Sequence, residues 1–236
     1  MDEGLIYMKK ILNYFSLFEY LLYFGSLLLI LTSFFVFENT EYSYLVGSII
    51  GITALIFLAK GNPIGQALTI VFSIFYGFIS YSFSYYGEMF TYLLMTLPVA
   101  VISLIEWLKN PFKGNIAEVE IVSLKKKDYV KIILLGITVS IVFYFVLKWF
   151  NTPNLLVSTF SVLTSFIASF LAFKRNRFYA VAYAFNDIVL IILWVLATIT
   201  DINYMPIIFC FAAFLLSDLY GFVSWTKIEK KQNNLG

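Results

Sequence analysis

The stretch GSIIGITALIFLAKGN, residues 47–62, returns without a gap as SVLTSFIASFLAFKRN, residues 161–176. Gly47 and Gly51 correspond to Ser161 and Ser165, Ala54 to Ala168, Lys60 to Lys174, and Asn62 to Asn176. Each copy reads as an apolar helix with small residues four apart, a spacing that lets helix backbones approach closely in lipid. Each is followed two apolar runs later by Trp and Lys, in IEWLK (105–109) and VSWTK (223–227). The repeat predicts two three-helix units, over 41–112 and 154–228.

Outward from these units the chain keeps the same character. It is 61% hydrophobic and 13% charged, with a mean hydropathy of +0.88. That excess cannot be buried in one soluble core, and a polytopic membrane protein is the class that fits. A helix needs about 20 apolar residues to cross the hydrocarbon. Eight runs meet that length, over 15–37, 43–59, 65–86, 89–108, 129–148, 155–173, 178–200 and 204–225. They are too long, and lack the alternation, for barrel strands. The expected fold is an all-α polytopic membrane protein with about eight transmembrane helices.

Three helices per unit is an odd number, so two units joined directly would be inverted. The fifth run makes them parallel, an arrangement used by transporters that bind substrate near the midplane. Residues 1–40 then form an extra N-terminal span, 113–153 a cytoplasmic loop and linker helix, and 229–236 a cytoplasmic tail. The loop 109–128 carries charges but no evident turn chemistry. Lys9 and Lys10 before an apolar run resemble a signal peptide, but the run is too long and lacks a small-residue cleavage site, so a retained helix is expected.

Basic residues set the orientation. With the N-terminus inside, fifteen of the sixteen Lys and Arg fall on the inner side and only Lys148 outside. The outer connections hold Glu38, Glu41, Glu88 and Asp201. This bias places both termini in the cytoplasm. The absence of His and the single Cys210 rule out a His-based metal site, a catalytic triad and an internal disulfide. No cofactor, metal, catalytic set or nucleic-acid partner is expected.

Polar residues inside the spans mark the candidate site. In YAFNDIVLIILW (183–194), Tyr183, Asp187, Leu190 and Trp194 share one helix face with Tyr179, and Asn186 lies beside it. An intramembrane Asp costs about 2.5–3.5 kcal/mol on insertion scales, so it faces a cavity or a partner. The third run carries a stripe of Gln66, Thr69, Ser73, Tyr76, Ser80 and Ser84, which is read either as a substrate-lined seam or as helix–helix hydrogen bonding. Ser158, Ser161, Ser165 and Ser169 on the sixth run are read as close packing, and Glu19 and Glu106 as interfacial anchors. Asp218, about 10 Å from the inner end of the last run by helical rise, is a further candidate. With no Lys or Arg deep in any span, such a pocket suits a neutral or cationic aromatic solute and offers a phosphate no cation.

The segments AKGNPIGQ, YYGEMFTYLLMTLPVAV, WLKNP, FNTPNLLVSTFSV, YAFNDIVLIILWVLAT and SDLYGFVSW resemble the PnuC family of vitamin transporters. The resemblance covers nearly the whole chain. It implies two triple-helix bundles joined by a linker helix, similar in architecture to SWEET transporters. It also implies uptake of nicotinamide riboside, an NAD precursor, by facilitated diffusion in a bacterial cell membrane, made unidirectional by intracellular phosphorylation. Other members take thiamine or riboflavin, and an older name assigns nicotinamide mononucleotide. The family's aromatic and amide binding residues carry over to Gln66, Asn186, Asp187 and Trp194. Tyr183 stands where Trp could be, which leaves the substrate open among these vitamins. Ser73, Tyr76, Tyr183 and Asp218 complete the expected substrate-binding set, and a homo-oligomer, with a trimer as one form, is the expected assembly. An intramembrane enzyme using Asp187 and Asp218 is the competing reading; it lacks a nucleophile or a metal-ligand set. A non-transporting sensor is the third, and no soluble signalling domain accompanies it.

Overall fold

Eight helices among the described residues are long and apolar enough to cross a membrane. The structure is a computed structural model that describes residues 14–37, 42–82 and 85–235. The helices are α1 (Leu17–Val36), α2 (Tyr42–Ala59), α3 (Pro63–Ser82), α4 (Tyr86–Lys109), α5 (Lys126–Trp149), α6 (Leu155–Phe173), α7 (Phe178–Thr198) and α8 (Met205–Leu235). Each of the eight apolar runs has its helix, because a run of about 20 apolar residues can satisfy its backbone in lipid only within itself. Lys9, Lys10, Glu38, Glu41 and Ser84 lie outside the described residues.

The two copies of the repeated stretch end in the same local geometry. At the first turn the N–H groups of Gly61 and Asn62 bond back to Leu58 and Phe57, and at the second those of Arg175 and Asn176 bond back to Ala172 and Leu171. Such C-caps need a residue in the left-handed region. Gly61 (φ 66°) fills it in one copy and Arg175 (φ 55°) in the other. Asn62 and Asn176 then accept the N–H two residues on and start the next helix.

The helices pack in the order α2–α3–α4 and α6–α7–α8, and the two triplets close into a ring through α2 against α8 and α4 against α6. Two indoles tie them reciprocally. Trp107 Nε1 donates to the carbonyl of Ala172 at 2.9 Å, and Trp225 Nε1 donates to that of Leu58 at 2.7 Å. Leu58 and Ala172 occupy the same position in the two copies, and the indole rings lie 5.4 Å apart. Both tryptophans are fully buried. Trp225→Phe removes the N–H together with the five-membered ring of a fully buried indole, so a cavity adds to the lost hydrogen bond and the cost is at least about 1 kcal/mol. The expected outcome is a thermal midpoint roughly 2–4 °C lower in detergent; an unchanged midpoint would show that the bond contributes nothing.

Outside the ring, α1 lies on α2 and α8, and α5 packs on α6. Glu19 is not an interfacial anchor. It is buried, closes a capping box with Ser16, and receives Lys60 at 3.3 Å and the Tyr220 hydroxyl at 2.8 Å, fastening α1 to α2 and α8. The turn between Phe112 and Asn115 corrects the reading of the 109–128 loop. Lys113 (φ 48°) and Gly114 (φ 79°) form the two-residue turn of an antiparallel hairpin, β1 (Pro111–Phe112) and β2 (Asn115–Val119). Nor is 229–236 a free tail: α8 continues to Leu235 and seals the hairpin. Gln232 donates to the Val119 carbonyl and accepts from Ile121 N–H, while Glu229 pairs with Arg177 at 2.8 Å and accepts from Ser123.

Within α4 the α-helical hydrogen bonding gives way to a π-helical segment, Thr91–Thr96. Pro98 supplies no N–H to the carbonyl four residues back, so the register shift falls where an ordinary α-turn could not close. Glu88, expected in an exposed outer connection, is instead in the first turn of α4, 1% exposed, and accepts a hydrogen bond from Ser161 on α6 at 2.9 Å.

Candidate functional site

A cavity of about 60 Å³ lies at the centre of the ring and takes residues from all six of its helices. Gln66, Tyr183, Asn186, Asp187 and Asp218 from the expected set all line it. They meet because α3, α7 and α8 each turn polar residues toward the axis, where polar groups find each other instead of lipid.

Asn186 is held rigidly. Its Oδ1 accepts from Thr164 Oγ1 at 2.7 Å and from Ser165 Oγ at 2.9 Å, so the donor end of the amide is what it can offer a ligand. Tyr183 shares a 2.9 Å hydrogen bond with Ser169. Hence Ser161, Ser165 and Ser169 are not spacers for close packing; each bonds a polar side chain on a neighbouring helix. Asp187 and Asp218 are both 3% exposed, and both line the cavity. Asp187 Oδ2 is buried with no partner. A buried carboxylate oxygen without a donor is costly, and such orphans concentrate where a ligand completes the site.

Ser73, Tyr76 and Trp194 stand off the cavity. Ser73 is fully buried and donates to its own helix at the Thr69 carbonyl. Tyr76 and Trp194 belong to an aromatic layer between the cavity and the helix ends that carry Tyr85 and Tyr204. Ring centroids there are 4.5 Å apart for Tyr76–Tyr92, 5.7 Å for Tyr76–Phe211 and 4.9 Å for Tyr85–Trp194. The Tyr76 hydroxyl and Trp194 Nε1 are buried in this layer without hydrogen bonds.

The sequence reading missed Tyr92, Thr96, Phe72, Phe211 and Phe214 as cavity walls, and Thr164 as a support. Tyr92 and Thr96 are four apart on α4, a spacing that would have shown them; the three phenylalanines are indistinguishable by sequence from the many that face lipid. Gly51 also lines the cavity, and a Cβ there would lie 2.9 Å from Phe72 Cε2 and also strike the Phe214 ring.

The chain is 28% identical over 204 residues to the nicotinamide riboside transporter PnuC of Neisseria mucosa, covering 84% of this chain and 77% of that protein. It is 23% identical over 209 residues to the nicotinamide riboside transporter PnuC of Haemophilus influenzae, covering 87% and 89%. Its fold matches the crystal structure of the vitamin B3 transporter PnuC with a TM-score of 0.80 at 22% identity, over 92% of this chain and 94% of that one. Residues 41–227, the whole six-helix ring with the linker helix, match the profile of the nicotinamide mononucleotide transporter family. The chain therefore belongs to the nicotinamide mononucleotide transporter family, whose members are membrane transporters and not enzymes.

Proposed function

We infer that this protein carries nicotinamide riboside across the cell membrane by facilitated diffusion, with the central cavity as its substrate site. The observation that carries the reading is the composition of that cavity, two carboxyl groups among aromatic walls with no Lys or Arg. These carboxyl groups are the only formally charged side chains among the lining residues, so the charge the site can carry is negative. That charge matches a pyridinium riboside, and aromatic rings supply the stacking and cation–π surface. A mononucleotide would bring its phosphate beside two carboxyl groups with no cation to receive it, which argues against the substrate in the family's description. Thiamine, also cationic and aromatic, is the second reading.

At about 60 Å³ the cavity holds waters and not a nucleoside. The ring must therefore part to load and unload, and the aromatic layer around Tyr76 and Trp194 is the gate on one side. Its unbonded hydroxyl and indole N–H are donors that a passing amide or ribose can use. The basic ends of the helices face the cytoplasm, the chain assembles as a homo-oligomer such as a trimer, and phosphorylation inside the cell traps the riboside.

The test is uptake into proteoliposomes of labelled nicotinamide riboside, thiamine, riboflavin and nicotinamide mononucleotide. Saturable riboside uptake, and counterflow without a pH or sodium gradient, are expected. Preference for the mononucleotide would overturn the electrostatic argument, and strict dependence on a gradient would overturn facilitated diffusion.

A further inference from the structure

A second and larger cavity, about 550 Å³, opens between the first turns of α5 and the last turns of α6, at the end of the helices where the basic residues gather. We propose that it holds the headgroup of an anionic phospholipid, with the acyl chains running along the α5–α6 face. The walls change character with depth in the same way on both helices. Lys131 on α5 and Lys174 at the end of α6 form the rim, and one turn deeper stand Leu135 and Phe170. Four residues of helix correspond to about 6 Å, the interval over which a phosphate gives way to hydrocarbon.

The charges are disposed for an outside anion. Glu106 accepts Arg175 at 3.4 Å, and Asp128 accepts the Lys125 N–H at 3.1 Å as a helix cap. Both acids of the cavity are thus engaged. Lys131 and Lys174 have no carboxylate within ion-pair distance among the described residues. Lys174 instead lies over the rings of Phe173 and Phe170, 4.9 and 5.7 Å from their centroids, which hold the ammonium at the cavity mouth.

A soluble phosphate ester would use the lysines but leave the deeper Ile132, Leu135 and Phe170 uncovered. Beyond the mouth, the face of α5 that carries Lys131 continues through Leu135 to Val142, 44% and 58% exposed, as a surface for acyl chains. Only 22% of the α5 span is buried, so a lipid chain can reach this face from the bilayer.

The experiment uses the full chain in neutral detergent, titrated with phosphatidylglycerol or with phosphatidylcholine of the same acyl chains, and read by native mass spectrometry. Each lysine at a membrane surface favours an anionic lipid by roughly fivefold. Wild type should retain phosphatidylglycerol over phosphatidylcholine, and Lys131→Gln/Lys174→Gln should lower that preference by roughly thirtyfold at this scale. The control Lys227→Gln/Lys230→Gln removes two exposed charges from α8 and should keep it. Equal loss in the control would mean that general charge, not this cavity, selects the lipid. No preference in wild type would overturn the proposal. Inorganic phosphate or nicotinamide mononucleotide competing the lipid away at millimolar concentration would do so too, by assigning the lysines to a soluble phosphate.

Discussion

Asn186→Ala and Asp187→Asn should each weaken nicotinamide riboside binding by roughly tenfold or more while leaving the protein folded. Removing one hydrogen-bonding partner in a buried site costs about 1–3 kcal/mol, and more when a charge is involved. The structure makes the comparison clean. Once Asn186 is truncated, the single proton of the Thr164 hydroxyl can turn to the carbonyl of Phe160 or Ser161 on its own helix, so that hydroxyl is not orphaned, and the Ser165 hydroxyl is left facing the cavity. Asp187→Asn preserves the side-chain shape and removes one of the two carboxyl groups of the cavity. It should harm the cationic riboside more than its neutral dihydro form, whereas Asn186→Ala should harm both alike. Calorimetric titration of the purified variants measures this. Two folded variants with wild-type affinity would mean that these residues only hold α6 and α7 together.

Gly51→Val should abolish uptake, by more than tenfold, through volume and not charge. Gly51 is the point on α2 where the backbone itself forms the cavity wall. A Cβ would meet Phe72 and Phe214, whose rings are already packed against each other at 5.7 Å and, for Phe72, against Tyr92 at 5.7 Å. The displaced rings have one open direction, into the cavity, which the added methyl groups also enter. Overpacking of this kind costs about 1–3 kcal/mol of stability, so the variant should still purify as a monodisperse species. Gly51→Ala should fall between it and wild type. Normal uptake by a folded Gly51→Val would place the substrate path elsewhere.

What could be read along the chain and what could not divide on physical grounds. Membrane insertion is a local property, a sum over about 20 residues, so all eight helices were legible one run at a time. The alignment of KGN with KRN was legible too, while the left-handed caps at Gly61 and Arg175 came from the structure. Asn186 and Asp187 were also legible, since their cost in lipid demands a partner whichever helix supplies it.

Partner identity is not local. Glu88, Glu19 and Ser161, Ser165 and Ser169 of α6 look alike in sequence whether they face water, lipid or a carboxamide, and each proved to be buried against a side chain between 14 and 201 residues away. Lys113–Gly114 was overlooked as a turn because its hairpin gains stability from Gln232, more than a hundred residues later. Tyr76 and Trp194 have the same stripe spacing as Gln66 and Asp187, yet they sit in the aromatic layer while the latter line the cavity. By its apolar periodicity and its charges the sequence alone determined eight helices, the likeness of two stretches among them, and which polar residues needed a partner. Only the tertiary structure decided which of those residues share the cavity, because that depends on how each helix is rotated about its axis against five others, and a rotation leaves no trace in any single run of residues.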